Sequence, residues 1–133
     1  LVADIEQTRE NVRADAKARK ARPRAMLVIG FKPLVVAGPG SYADELLADV
    51  GAVNVAGKAP STYPAFSLER AVALQPDVVI DCGHSDEGRA ETRALIRKPR
   101  WVQLKSRALL QPGPSLGAGL RELQAAVWGE GSP

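Results

Sequence analysis

The chain has 133 residues, 45% hydrophobic and 25% charged, the balance of one globular domain and not of a disordered or fibrous chain. One cysteine, Cys82, excludes an internal disulfide and any multi-cysteine metal site, and no apolar run reaches the ~18 residues that a membrane span needs. The net charge of +3 sits wholly in residues 1–24, where Arg9, Arg13, Lys17, Arg19, Lys20, Arg22 and Arg24 outnumber Asp4, Glu6, Glu10 and Asp15; the body is balanced and lacks the basic, aromatic-interleaved stripe of a nucleic-acid surface.

Residues 1–21 read as a helix rich in Ala, Glu, Lys and Arg. Its apolar stripe, Val2, Ile5 and Val12, is thin, which predicts a helix poorly held by one domain. With no initiator Met and a helical pattern from Leu1, the expectation is a piece of a longer chain in which 1–22 ends a helix and 23–133 forms a lobe. Pro23 stops the helix. Ala25-Met-Leu-Val-Ile29 is a continuous apolar run closed by Gly30, the pattern of a strand buried on both faces. Leu34-Val-Val-Ala37 is a second short run, and Gly38-Pro-Gly40 turns the chain. Ser41 caps a helix to Val50, with Asp44 in a capping-box position, and Gly51 ends it. Val53 to Val55 is a short edge strand, 58–64 a loop, and Ser67 caps a helix over 68–74. Val78-Val-Ile80 is another buried strand. A helix over 88–97, a strand over 101–104, a rigid turn at Gln111-Pro-Gly-Pro114 and a helix over 115–128 complete the chain.

Strands alternating with helices predict an α/β domain: a three-layer α/β/α sandwich with a mostly parallel central sheet, Rossmann-like or chelatase-like. Ligands on such sheets bind beyond the C-terminal ends of the strands. Here those ends feed loops at 31–41, 61–66, 82–87 and 105–114.

Gly38-Pro-Gly-Ser-Tyr-Ala43 fits G-x-G-x-x-A between a strand and a helix, the pattern that seats a pyrophosphate on free backbone N–H groups. Pro39 removes one donor, and no acidic residue ends a strand about 20 residues on. A plain turn with a helix cap explains the same residues. His84, the single histidine, lies at the end of a buried strand in Asp81-Cys-Gly-His-Ser-Asp86. It reads as a loop residue that contacts ligand or solvent, or as a catalytic or metal-binding residue with Cys82. No metal-ligand spacing accompanies it. Asp86 and Glu87 suit the start of the next helix. Tyr42 and Tyr63 lie at a helix start and on a Pro-flanked loop, where an aromatic stacks on a flat ligand or lids its own core. Glu69, at the second position of a capped helix, complements the helix dipole.

The strings Arg24-Ala-Met-Leu-Val-Ile-Gly30, Pro33-Leu-Val-Val-Ala-Gly-Pro-Gly-Ser-Tyr42, Asp44-Glu-Leu-Leu47 and Gly51-Ala-Val-Asn-Val55 resemble one family. So do Thr62-Tyr-Pro-Ala-Phe-Ser-Leu-Glu69 and Ala73-Leu-Gln-Pro-Asp-Val-Val-Ile80. They resemble the substrate-binding proteins of bacterial ABC importers for cobalamin, haem and ferric siderophores, and cover the second half of such a protein. The resemblance implies two α/β lobes joined by a long helix, of which 1–22 is the end and 23–133 the C-terminal lobe. It implies capture of a metal chelate between the lobes and delivery to the membrane permease, in the periplasm or on an extracytoplasmic lipid anchor. It implies neither catalysis nor a bound cofactor or metal. Glu69 matches the glutamate that docks on permease arginines, and Tyr63 an aromatic of the ligand cleft. Val35, like Ile29, falls at a cleft position. Tyr42 and His84 lie on the same loops, and Lys105 and Arg107 suit an anionic ligand such as haem propionates or a ferric siderophore. The competing readings are a nucleotide-dependent enzyme using Gly38–Ala43 and a chelatase-like enzyme using His84.

Overall fold

The centre of the molecule is β1 (Arg24–Phe31), whose residues Ala25, Met26, Leu27 and Val28 are fully buried. The computed structural model describes residues 2–19, 22–83, 86–104 and 116–129. β1 pairs in parallel with β5 (Val78–Asp81), Ala25 opposite Val78, and β5 pairs in parallel with β6 (Arg100–Gln103). The other edge of β1 is shared. Its first residues pair in parallel with β3 (Val53–Asn54), and its last residues pair antiparallel with β2 (Leu34–Val36). β4 (Ala65–Phe66) adds antiparallel to β2, so the order across the sheet is β4-β2-β1-β5-β6 with β3 also on β1.

Alternate strand residues feed two cores. Ala25, Leu27, Val78 and Ile80 pack with Val12 of α1 (Val2–Ala18), Leu46 and Leu47 of α2 (Tyr42–Asp49), and Leu120 and Leu123 of α5 (Leu116–Trp128). Met26, Val28 and Val79 pack on the opposite face with Ala71 of α3 (Leu68–Ala73) and Ile96, which ends α4 (Arg89–Leu95). Helices on both faces of a mixed, mostly parallel sheet make the α/β/α sandwich that the sequence predicts.

Three local expectations change. The loop predicted over 31–41 contains the whole of β2, because β1 runs through Gly30 to Phe31 and turns straight back at Lys32-Pro33. A buried apolar triplet reads the same in either direction, and a two-residue connection permits only an antiparallel neighbour. A register irregularity between Val28 and Gly30 also carries Phe31 to the face of Met26 and Val28, where strict alternation would send it to the other. The third is β4, a two-residue strand inside a region read as loop and helix cap.

The first helix is also better held than its thin stripe predicts. Val12 and Ala16 are buried. Nε of Arg9 and Nε of Arg13 each donate at 2.7 Å to a different oxygen of Asp49, whose side chain is only 7% exposed. The hydrogen bond to Asp49 is the main reason that the Arg9 pKa is raised. Further along, Asp15 accepts from Nε2 of Gln124 at 2.9 Å. Where α1 crosses the end of α2, a Cβ on Gly51 would lie 2.8 Å from that of Ala16, so this turn (φ +86°) is glycine for space as well as conformation.

Candidate functional site

Of the predicted site residues, Val35, Tyr42, Tyr63 and Glu69 lie among the described residues, and the turn from Gly38 to Ser41 stands between the first two in the chain. The hydroxyl of Ser41 donates to the Gly38 carbonyl at 2.8 Å and accepts from the Asp44 amide at 3.0 Å, capping α2. The Asp44 carboxylate accepts from the Gly40 amide at 3.2 Å and from Nδ2 of Asn54 at 2.9 Å. Nδ2 of Asn54 also donates to the Ala37 carbonyl. The capping box thus closes one residue earlier than its usual partner, the N-cap amide, and Asn54 ties it to β3.

This network corrects the nucleotide fingerprint. Gly38 and Gly40 spend their N–H groups on the Thr62 carbonyl and on Asp44, and Pro39 has none to give. The glycine at 38 serves another approach. A Cβ there would lie 2.5 Å from the Ser61 oxygen, 2.8 Å from Cδ of Pro64 and 3.0 Å from the Thr62 oxygen. The segment 61–64 therefore lies directly on Gly38, bonded through Gly38 N–H to Thr62 O at 2.7 Å and Val36 N–H to Pro64 O at 3.1 Å. Between those two bonds stands Tyr63, 51% exposed.

Val35 pairs with Ala65 one step along the same ribbon and is half-buried, and half-buried Tyr42 opens α2 just beyond the turn. Val35 and Tyr63 thus lie on neighbouring parts of the β2–β4 ribbon, whereas Tyr42 packs against the core on the α1 face, near Arg9. Glu69 follows on α3, whose N-cap Ser67 accepts from the Arg70 amide at 3.1 Å. Arg70 folds back over the Phe66 ring, 4.7 Å from its centroid. Glu69 is left exposed, and it has no ion-pair partner among the described residues.

A buried charge cluster that the sequence did not suggest lies at the C-terminal end of β5, two strands across from β2. Asp81 is the last residue of β5 and is 3% exposed. Its carboxylate accepts from the Gly83 amide at 2.9 Å and from Nε of Arg89 at 2.7 Å. The hydrogen bond to Asp81 is the chief cause that raises the Arg89 pKa. The sequence reading missed this pair, because the partners stand eight residues apart across a turn and helix periodicity does not connect them. An arginine in the first turn of a helix, where the dipole disfavours cations, was the signal available. His84, Lys105 and Arg107 lie outside the described residues. Cys82 is buried, and among the described residues no cluster of His, Cys, Asp and Glu is suited to a metal ion. No helix among them is long and apolar enough to cross a membrane.

Open α/β sandwiches take ligands at strand ends and the adjoining turns, and Tyr63 stands exposed on such a turn here. The chain belongs to the periplasmic binding protein family, whose model matches residues 1–108. It is similar over 98% of its length to a periplasmic haem-binding protein from Pseudomonas aeruginosa, of which it covers 51%, at 29% identity and a TM-score of 0.73. It is similar over 96% of its length to the periplasmic haem-binding protein RhuT from Roseiflexus sp. RS-1, of which it covers 54%, at 26% identity and a TM-score of 0.74. The vitamin B12 binding protein BtuF of Vibrio cholerae shares the fold at 20% identity, with 92% of this chain covering 50% of that one and a TM-score of 0.71. The chain spans about half the length of these structures. None of the curated proteins matches it.

Proposed function

We propose that this chain is one lobe of the solute-binding protein of a bacterial ABC importer, not an enzyme. It captures a metal chelate and hands it to the membrane permease outside the cytoplasm, in the periplasm or on a lipid anchor. Residues 1–22 are then the end of the helix that joins two lobes, and 23–133 the C-terminal lobe. Cobalamin, haem and ferric siderophores form the ligand class, and haem is the member we favour. The observation that carries the reading is the match of nearly the whole chain to half of two haem-binding periplasmic proteins at 29% and 26% identity.

The site chemistry supports it. Tyr63 is a large, exposed aromatic on a backbone fixed at both sides, so stacking on a flat ligand costs it little further order. Val35, on the strand that pairs with β4, adds half-buried apolar surface, and Tyr42 opens α2 beyond the turn. His84, Lys105 and Arg107 belong in this proposal to the ligand face at the ends of β5 and β6, the two cations pairing with acidic groups of the ligand. Four strand spacings of ~4.8 Å separate β4 from β6, about 19 Å, so a ligand that touches both groups is large. Exposed Glu69, with no ion-pair partner among the described residues, is placed to steer docking on a basic permease surface.

The test is titration of the chain with haemin, cyanocobalamin and a ferric siderophore, each followed by amide shifts. Haemin shifts around 35–42, 61–66 and 82–87 are expected, and no shift with any of the three refutes the reading. Placed in the two-lobe protein, Glu69→Arg is expected to leave haemin affinity unchanged and to lower uptake into cells.

A further inference from the structure

Asn54, on β3, bonds in three directions. Its Nδ2 donates to the Ala37 carbonyl at 3.0 Å and to Oδ1 of Asp44 at 2.9 Å. Its Oδ1 accepts from the Ala56 amide at 2.9 Å, and its own carbonyl accepts from the Gly57 amide at 3.0 Å. The strand beneath is pinned to β1. Asn54 stands opposite Ala25, and the amides of Val53 and Val55 donate to the carbonyls of Pro23 and Ala25 at 2.8 and 3.0 Å. One side chain thus links β3, the first turn of α2 and the residue that follows β2.

The chemistry of these neighbours demands an amide. Both hydrogens of Nδ2 face acceptors, and Oδ1 faces a backbone N–H. An aspartate of the same shape would set a carboxylate against Asp44 and the Ala37 carbonyl, with a donor for neither. Ala37 is fully buried, so its carbonyl has no water to replace the lost bond. The Ala37 carbonyl and the Gly38 N–H belong to one planar peptide unit, so a rotation of that plane moves both. Asn54 holds the first of these atoms, and the second holds the Thr62 carbonyl at 2.7 Å.

We propose that Asn54 is a positioning residue for ligand capture: by holding the Ala37 carbonyl it orients the Ala37–Gly38 peptide plane, and with it the segment 61–64 that presents Tyr63, without touching the ligand. The inference rests on the proposed function for its ligand and on this peptide plane for its mechanism. A role confined to stabilising the lobe would lower the protection of all its amides alike and would not depend on Tyr63.

The experiment compares the wild-type chain, Asn54→Asp and Asp44→Ala, each with and without Tyr63→Ala, by amide hydrogen exchange and haemin titration. Asn54→Asp keeps the shape of the side chain and withdraws its donors. Asp44→Ala removes one of the two acceptors, leaves the bond to Ala37, and keeps the test open if the aspartate variant does not fold. The Gly38 amide is expected to exchange about tenfold faster in Asn54→Asp, as loss of a bond to a buried carbonyl predicts. The β5 amides of Val79 and Ile80 keep their wild-type rates. Haemin affinity falls about tenfold, and by less than about twofold in chain that already carries Tyr63→Ala. Asp44→Ala moves exchange and affinity in the same direction by less. Wild-type exchange at Gly38 in every variant that folds overturns the positioning, and so does acceleration shared equally by Val79 and Ile80. Faster exchange at Gly38 with unchanged haemin affinity overturns the role in capture. Equal losses of affinity with and without Tyr63→Ala overturn the route through 61–64. Wild-type chain that binds no haemin defeats the haem reading and the capture role, while the exchange rates still decide whether Asn54 sets the peptide plane.

Discussion

Replacing Gly38 by alanine tests whether this glycine exists for the segment that carries Tyr63. The new Cβ would stand 2.5 Å from the Ser61 oxygen and 3.0 Å from the Thr62 oxygen, both backbone atoms. Relief to ordinary contact requires the segment to withdraw by about 1 Å. That stretches the 2.7 Å bond from Gly38 to Thr62 beyond useful length and strains its neighbour from Val36. Two backbone hydrogen bonds at ~1 kcal/mol each give a loss of about 2 kcal/mol. Gly40→Ala is the control. It meets nothing within 4 Å, and its φ of +79° costs about 1–2 kcal/mol without displacing 61–64. Urea denaturation and haemin titration read both variants. Gly38→Ala is expected to weaken haemin binding about as much as Tyr63→Ala, with the double variant no weaker than either alone, the mark of coupled sites. Gly40→Ala keeps wild-type affinity. Gly38→Ala with wild-type stability and affinity, or full additivity with Tyr63→Ala, refutes the reasoning.

Asp49→Asn deprives Arg9 and Arg13 of their shared carboxylate. The arginine side chains are 25% and 49% exposed and rehydrate in part, so the expected loss is about 2 kcal/mol, below that for a fully buried pair. Urea midpoints check it, and a midpoint equal to wild type would show that the pairs contribute nothing. The hydrogen bond from Gln124, then that from Arg121, hold the Asp15 pKa below its usual 3.8. A carboxylate with a depressed folded pKa contributes stability above the unfolded value and loses it as pH falls through the folded one. Asp15→Asn is therefore expected to melt below wild type at neutral pH, with the gap narrowing from pH 3.8 downward. A gap independent of pH would contradict that linkage.

The sandwich was legible because Ala25–Ile29 and Val78–Ile80 are unbroken apolar runs, and because Ser41 and Ser67 each precede a helix that they do cap. Strand direction was not legible. Leu34-Val-Val36 carries no mark of polarity, and β4 is too short to show a period. In the candidate site, Tyr63 stood out by its prolines and Glu69 by its cap. The reason for Gly38 did not, since a close approach between segments over 20 residues apart leaves no local pattern. Asp81 and Arg89 escaped for the same cause. Each residue is ordinary alone, and only the turn of the chain brings them together. The anchoring of α1 was hidden because arginines at 9 and 13 read as solvated until Asp49 is set beside them.

That anchoring makes α1 a lever rooted in the sandwich. Its 17 residues reach about 25 Å, so tilting the root by about 1° swings the tip by about 0.4 Å over that length. A body joined at the tip would turn with this lobe, and hinge motion would have to enter beyond Arg9 and not at Pro23. The same root decides where the lobe can be severed. A cut before residue 2 preserves it, whereas excising residues 1–22 would open the core at Val12 and strand the carboxylate of Asp49 without a counter-ion.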